Sequence, residues 1–312
     1  KNKFPIIGGS EFKEIENFKE IYKINFLYTQ KSGNKDNWNS KTIKTLIHAV
    51  YPQKITEKHG YSYAYISEWL SKNFSNRKVP FIPYIVEMHK TKNNLKKTLG
   101  IKKGNIVFGC HGGESSFDIR FVQDVLKKIV NVRKDITFIF LNINKFYNHP
   151  RIKFLKGTAD EIFKKKFVNT CDAMIYARSL GESFGLSCGE FAIQDKPIIS
   201  YKFNRHKSHK FNTTKKNFFE YSSYKKLYFL LKNFKKNKKF VRKNKYKLYS
   251  SKKVMREFKN IFLSNKNEAN FNLFDYMANY ISFYKMHYFY LRHKLYNHYY
   301  NYFESKFINI KD

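Results

Sequence analysis

Residues 173–201 read Ala173-Met-Ile-Tyr176, Ala177-Arg-Ser-Leu-Gly181-Glu-Ser-Phe-Gly185-Leu-Ser-Cys-Gly-Glu190-Phe-Ala-Ile193, and, after a short link, Pro197-Ile-Ile-Ser-Tyr201. A short apolar run, a loop of small residues, a helix-compatible stretch and a second apolar run predict strand, loop, helix and strand. The helix is expected over about residues 184–193 with Ser183 as its N-cap, because a serine oxygen can accept from amides that a helix start leaves unpaired. Its first turn, Phe184, Gly185 and Leu186, offers free N–H groups backed by the positive end of the helix dipole. Gly185 has no side chain to hold a ligand off, so a diphosphate can approach those amides closely. Glu182 lies on the loop, and Glu190 follows two turns later, about 12 Å along the axis if the whole interval is helical. That spacing suits one ligand with a sugar at one end and a ribose at the other.

The alternation extends upstream. Asn105-Ile-Val-Phe-Gly109 is an apolar run ending in glycine, and His111-Gly112-Gly113 follows, a strand entering a tight loop. Phe121, Val122, Val125, Leu126 and Ile129 recur at helical spacing with one apolar face. Residues 136–141 are continuously apolar, as a strand covered on both faces must be. Residues 151–155 predict another strand and 160–169 a charged helix. Strands and helices at such short intervals imply right-handed crossovers, hence an α/β chain with a parallel sheet and helices on both faces. Ligands of such folds sit beyond the carboxyl ends of the strands. Two loops are therefore singled out, residues 109–116 and 177–183. Gly112 and Gly113 leave room for a ligand against the backbone, or simply form a turn.

The flanks are less regular. Residues 23–28, 45–51 and 61–66 are each strand candidates, and Val79-Pro-Phe-Ile-Pro83 is stiff and extended, a natural boundary. Downstream, Tyr224, Leu227, Tyr228 and Leu231 share one helical face, and residues 235–247 form a basic run expected to be solvated. Tyr276, Tyr280, Phe283, Tyr284 and Leu291 make an aromatic stripe at helical spacing, for which core packing is the expectation. Three segments follow: a shortened domain over 1–85, the main α/β domain over 86–265, and a basic aromatic helical tail over 266–312.

Hydrophobic residues are 42% of the 312 and aromatic ones 19%, enough for substantial cores, which excludes a disordered chain. Lys and Arg number 61 against 24 Asp and Glu, a net charge of +37 that favours polyanionic neighbours. Lys, Asn, Phe, Tyr and Ile are enriched together and the lysines are scattered, so charge alone does not make this a nucleic-acid-binding chain. Cys110, Cys171 and Cys188 are far apart, with no C-x-x-C pair and no zinc spacing, so neither a disulfide scaffold nor a metal site is expected. No apolar run reaches membrane-spanning length, and the first residues carry no signal-peptide pattern. A cytoplasmic setting is expected, with peripheral docking of the basic tail on an anionic membrane as a variant of it.

Glu182 and Glu190 with seven residues between them, Phe-Gly-Leu after the first and Phe-Ala after the second, resemble the signature of retaining GT-B glycosyltransferases of the group 1 type. Ile106-Val-Phe-Gly109, Phe154-Leu-Lys-Gly157, Cys171-Asp-Ala-Met-Ile175 and Asp195-Lys-Pro-Ile-Ile199 agree in order, so the likeness covers roughly residues 80–235. The resemblance implies two Rossmann-like domains, the first shortened and on the acceptor side, the second binding a nucleoside-diphosphate sugar. It implies transfer of the sugar to a glycan, lipid or protein acceptor with retention of configuration and without a bound metal or other cofactor. Carried over, Glu182 contacts the donor sugar, Glu190 accepts from the ribose hydroxyls, and the amides of Phe184, Gly185 and Leu186, with Ser183 beside them, hold the diphosphate. Gly157 and Thr158 would lie near the base, and Gly112 and Gly113 against the donor. His48 resembles the histidine that touches the donor sugar in relatives, with His59 as an alternative. Relatives also place an arginine just after the glycine of the first strand and a lysine soon after it. These positions hold Cys110 and Ser115, so a cation must come from elsewhere, with Arg178, Arg205 and Lys207 as candidates. Without one, the alternative is a catalytically impaired module whose basic surface binds nucleic acid or protein.

Overall fold

A computed structural model describes residues 13–89, 91–236, 244–264 and 268–307. The chain forms two compact units, Lys1–Pro83 with Lys252–Ser282, and Tyr84–Ser251 with Phe283–Asp312.

The first unit contains α1 (Lys13–Tyr22), β1 (Phe26–Lys31), β2 (Lys44–Ala49), β3 (Ser62–Tyr65) and α2 (Glu68–Ser75). Its sheet is parallel in the order β1-β2-β3, with β2 buried along nearly all its length. The link 32–43 is rich in Gly, Asn and Ser, and 50–61 is interrupted by Pro52 and Gly60; together they hold only one 3-10 turn, Ile55–Glu57. Helical crossovers, the usual cover of a parallel sheet, are therefore absent between these strands. Ser67 caps α2, its hydroxyl oxygen accepting from the Leu70 amide at 3.2 Å.

The second unit runs β4 (Ile106–His111), α3 (Arg120–Val132), β5 (Ile136–Leu141), β6 (Ile152–Leu155), α4 (Glu161–Thr170), β7 (Ala173–Tyr176), β8 (Gly181–Glu182), α5 (Leu186–Ile193), β9 (Ile198–Tyr201), β10 (His206–Lys207), α6 (Ser208–Asn212), β11 (Phe218–Tyr221) and α7 (Tyr224–Lys232). Its main sheet is parallel, in the order β11-β9-β7-β4-β5-β6. Every residue of β5, β7 and β9 is buried, which is why these strands read as unbroken apolar runs. Phe121, Val122, Val125, Leu126 and Ile129 are all buried on one face of α3. The chain builds outward from β4 through β5 to β6, then resumes on the other side of β4 with β7. The strand order thus reverses between β4 and β7, where such sheets leave a crevice at their carboxyl ends.

The last segment does not form a separate tail. In α8 (Ser251–Phe258) and the turn after it, Phe258 and Phe262 place their rings 5.4 and 5.9 Å from that of Tyr28. In α9 (Leu273–Tyr299), Asp275 is buried and pairs with Lys78 at 2.6 Å, and Asn279 donates to the Phe74 carbonyl at 2.7 Å. Residues 283–312 belong instead to the second unit. The aromatic stripe departs from expectation: Tyr276, Tyr280, Tyr284 and Leu291 are 45, 75, 69 and 44% exposed. Packing falls to other positions of this segment, with Tyr296 and Tyr300 against the Phe121 ring at 5.2 and 5.8 Å. Residues 237–243 of the basic run lie outside the described residues; beyond them Lys245–Leu248 makes a 3-10 turn with Tyr246 buried. Among the described residues no helix is long and apolar enough to cross a membrane.

Candidate functional site

A cavity of about 410 Å³ opens at the carboxyl ends of β4, β5 and β6, lined by His111, Gly112, Asn142, Lys156, Gly157 and Thr158, among others. Asn142 fixes two loops at once. Its amide donates to the Gly112 carbonyl at 2.8 Å, and its side chain fills the space where a Cβ on Gly157 would stand.

Glu190, on α5, meets two of the residues that line this cavity. It is 7% exposed, with Oε2 lying 2.8 Å from His111 Nε2 and Oε1 accepting from Lys164 Nζ at 3.2 Å. His111 is itself held in place, stacked on Phe191 and edge-on to Phe167. Burial pushes the Glu190 carboxyl toward protonation. Contact with His111 and the Lys164 ammonium outweigh that and hold it below the usual carboxylate range. The result is an ionised carboxylate in a largely dry setting beside an open cavity. His111 and Lys164 both line that cavity as well.

Glu182 is presented by different means. It sits in β8, whose two residues pair with His206 and Lys207 of β10. Gly181 has φ +72, and a Cβ there would meet the His206 carbonyl oxygen at 2.1 Å. Only glycine fits, and the pairing it permits sets where Glu182 points. The Glu182 Oε1 accepts from the Tyr176 hydroxyl at 2.8 Å and from Arg178 Nη1 at 3.4 Å. Burial raises this carboxyl above its usual range, and the opposing pull of Arg178 and Tyr176 does not cancel it.

Between the two carboxylates α5 begins at Leu186, with Gly185 as N-cap at φ +87 and no side-chain cap. This corrects the Ser183 cap: the chain enters the helix through a left-handed glycine, which Ser183 could not replace without strain. Only residues 186–190 of the interval are helical, so helical rise accounts for about 6 Å rather than 12. Phe184 is buried, its ring 5.0 Å from Tyr84 and 5.8 Å from Tyr246, whose hydroxyl donates to the Phe184 carbonyl at 2.9 Å. The free amides of the first turn are therefore those of Leu186 and the residues after it.

No family model matches the sequence, and no curated protein matches it at a significant level. Solved structures do match. A glycosyltransferase from Rickettsia africae aligns over 81% of this chain and 81% of its own, at TM-score 0.55 and 13% identity. TarM aligns over 80% of this chain at TM-score 0.54 and 14% identity. A variant of TarM from S. aureus, in complex with fondaparinux, alpha-GlcNAc-glycerol and UDP, aligns over 73% at TM-score 0.53 and 15% identity. The chain spans 57% of the first TarM chain and 52% of the second. The fold is that of the GT-B glycosyltransferases.

Within this GT-B fold, Gly112, Gly157 and Thr158 line the cavity, and Glu190 meets it through His111 and Lys164. Arg178 stands with Glu182. Gly113 is exposed, with open space where its Cβ would be. Lys207 turns elsewhere: its ammonium lies 3.2 Å from the Phe289 ring centroid, and burial lowers its pKa to about 8. Arg205 likewise stacks over Tyr290. His48 is an interior residue of the first unit. Its Nε2 donates to the Ile82 carbonyl at 2.8 Å, leaving Nδ1 for the Tyr28 hydroxyl at 2.6 Å, and burial lowers its pKa to about 4. That geometry ties the ring into the packing of its sheet. Cys110 is buried and its thiol is pushed further from ionisation, while Ser115 is exposed, so neither replaces a cation. Sequence reasoning missed Lys156 and Lys164 on the cavity wall and gave His111 no partner. Lys164 is one lysine of a charged helix, and nothing local marks it as the residue that meets Glu190.

Proposed function

We propose that this chain is a glycosyltransferase that moves a sugar from a nucleoside-diphosphate donor to a glycan, lipid-linked or protein acceptor, with retention and without a bound metal. The observation that carries it is the buried Glu190, held below the usual carboxylate range, whose partners His111 and Lys164 line the cavity at the carboxyl ends of β4, β5 and β6. A carboxylate so placed accepts two hydroxyls of a ribose while the base lies toward Gly157 and Thr158. The diphosphate then falls at the start of α5, where each favourable charge–dipole contact contributes about 0.3–1 kcal/mol. Arg178 is the cation nearest in role to the missing clamp: it is paired with Glu182 and can turn to the departing diphosphate. Glu182 meets the sugar, and catalysis rests on positioning and on stabilising the leaving group's charge. The UDP in the TarM complex agrees with such a donor, and fondaparinux with a strongly basic protein's taste for anionic glycans.

The test is donor hydrolysis and transfer by the full chain across nucleotide sugars. Glu182→Ala and Glu190→Ala are expected to abolish both; full activity in both variants would remove these residues from the site. The second reading, an impaired binding module, is favoured by two observations: Arg205 and Lys207 turn to aromatic rings, and Cys110 is buried. It predicts strongly salt-dependent nucleic-acid binding with no nucleotide-sugar binding.

A further inference from the structure

A second cavity, of about 730 Å³, opens in the second unit between the loop leading to Glu182 and the carboxyl-terminal turns of α9. Ser179 and Leu180 form one wall; Tyr290, His293, Lys294 and Asn301 belong to the other. The Arg205 guanidinium carbon lies 5.1 Å from the Tyr290 ring centroid, and the Lys294 ammonium 4.9 Å from the same point. Two cations are therefore held within about 10 Å of each other. Like charges that close repel, more so beside low-dielectric walls. No acidic side chain lines the cavity among the described residues. Asp118, whose charge reaches His293, is engaged by the Ser179 amide and hydroxyl, both at 2.7 Å. Moreover Arg205 Nε, His293 Nδ1 and Asn301 Oδ1 are buried without a hydrogen-bond partner among the described residues. Buried polar groups without a partner are uncommon in native interiors.

The rest of the lining is of another character. Tyr302, Leu291 and Leu295 reach the same cavity and are 58, 44 and 65% exposed. Aromatic and aliphatic walls beside unpaired cations match a ligand with an apolar ring face and an anionic group. We propose that this groove binds an anionic saccharide, its ring against Tyr302 and Leu291 and its carboxylate or phosphate held by Arg205 and Lys294. A bare anion would leave the apolar wall unused, and a neutral glycan would leave the cations unbalanced. The groove adjoins the loop that carries Arg178 and Glu182, so on the reading proposed above it holds an acidic portion of the acceptor. Binding itself does not depend on transfer.

Titration calorimetry on the full chain tests this with trigalacturonate, glucose 6-phosphate, galactotriose and inorganic phosphate. At least one of the two anionic sugars is expected to bind about tenfold more tightly than both controls, and saturating UDP does not displace it. Arg205→Gln with Lys294→Gln lowers that affinity about tenfold or more. Tyr302→Ala, at an exposed position, weakens the sugar and leaves inorganic phosphate unchanged, which keeps the test valid if the double variant is unstable. Equal binding of the neutral trisaccharide or of inorganic phosphate overturns the proposal. So does displacement by UDP, or full affinity in the variants. Failure of UDP itself to bind would count against the donor site and leave this result standing.

Discussion

Replacing Gly181 by alanine tests how Glu182 is positioned. Alanine at φ +72 costs about 1–2 kcal/mol from left-handed strain alone. The new Cβ would also stand 2.1 Å from the His206 carbonyl oxygen and 2.7 Å from Asn204 Cβ, so β8 and β10 must separate. Their separation forfeits the His206 amide bond to the Leu180 carbonyl, now 2.8 Å, at about 0.5–1.5 kcal/mol. The total is roughly 1.5–3.5 kcal/mol, a large share of ordinary domain stability. Two further glycines set the scale. Gly185→Ala meets Tyr246 Oη at 3.0 Å and Glu182 Cβ at 3.2 Å with the same kind of strain, and about 1–2 kcal/mol is expected. Gly113→Ala meets nothing within 4 Å and should lie within about 0.5 kcal/mol of the parent. Urea denaturation at matched m-values reads all three. A Gly181→Ala protein within about 0.5 kcal/mol of the parent, or less affected than Gly185→Ala, would refute the reasoning.

Other consequences concern the same site. Tyr246→Phe removes the buried hydrogen bond to the Phe184 carbonyl, so stability should fall by about 1–2 kcal/mol and nucleoside-diphosphate affinity severalfold; unchanged affinity would free the loop from Tyr246. Glu182 and Glu190 should tilt stability in opposite directions with pH. Because burial raises the Glu182 carboxyl, its ionisation costs stability as pH climbs from the usual carboxylate range through the folded value, and Glu182→Gln should gain on the parent there. Glu190 is depressed, so its contribution is complete above the usual range and is lost as pH falls through the folded value; the deficit of Glu190→Gln should shrink in acid. Thermal midpoints across pH 3–8 of both variants check these signs, and parallel curves would contradict them. His209 is buried and neutral, its pKa lowered to about 3, so stability should fall as pH drops below about 6.5 and His209→Gln should flatten that slope.

The second unit was legible because parallel strands covered on both faces leave unbroken apolar runs, as residues 136–141 and 173–176 do. Two-residue strands leave no such mark. Nothing periodic announces β8 or β10, although they set the direction of Glu182. Ser183 and Gly185 are both acceptable N-caps by type, and only the left-handed backbone at Gly185 decides between them. The aromatic stripe of α9 has the spacing of a packed face, but spacing does not say which face of a helix meets a partner. His48 lies among Leu46, Ile47 and Ala49, all buried, and that apolar run was the local sign of an interior histidine. The Glu190 partners come from β4 and α4, and only the folded chain brings them together.

The central claim is that Glu190 is the ribose ligand of a donor site. It is tested most directly by a calorimetric cycle with whichever of UDP, GDP or ADP binds best, and its 2′,3′-dideoxy counterpart. The parent should prefer the ribose form by about 1.5–3 kcal/mol, roughly 10- to 150-fold, and Glu190→Ala should lose that preference while binding the dideoxy form about as before. A preference that survives in Glu190→Ala, or undiminished affinity for the ribose form in that variant, would contradict the claim.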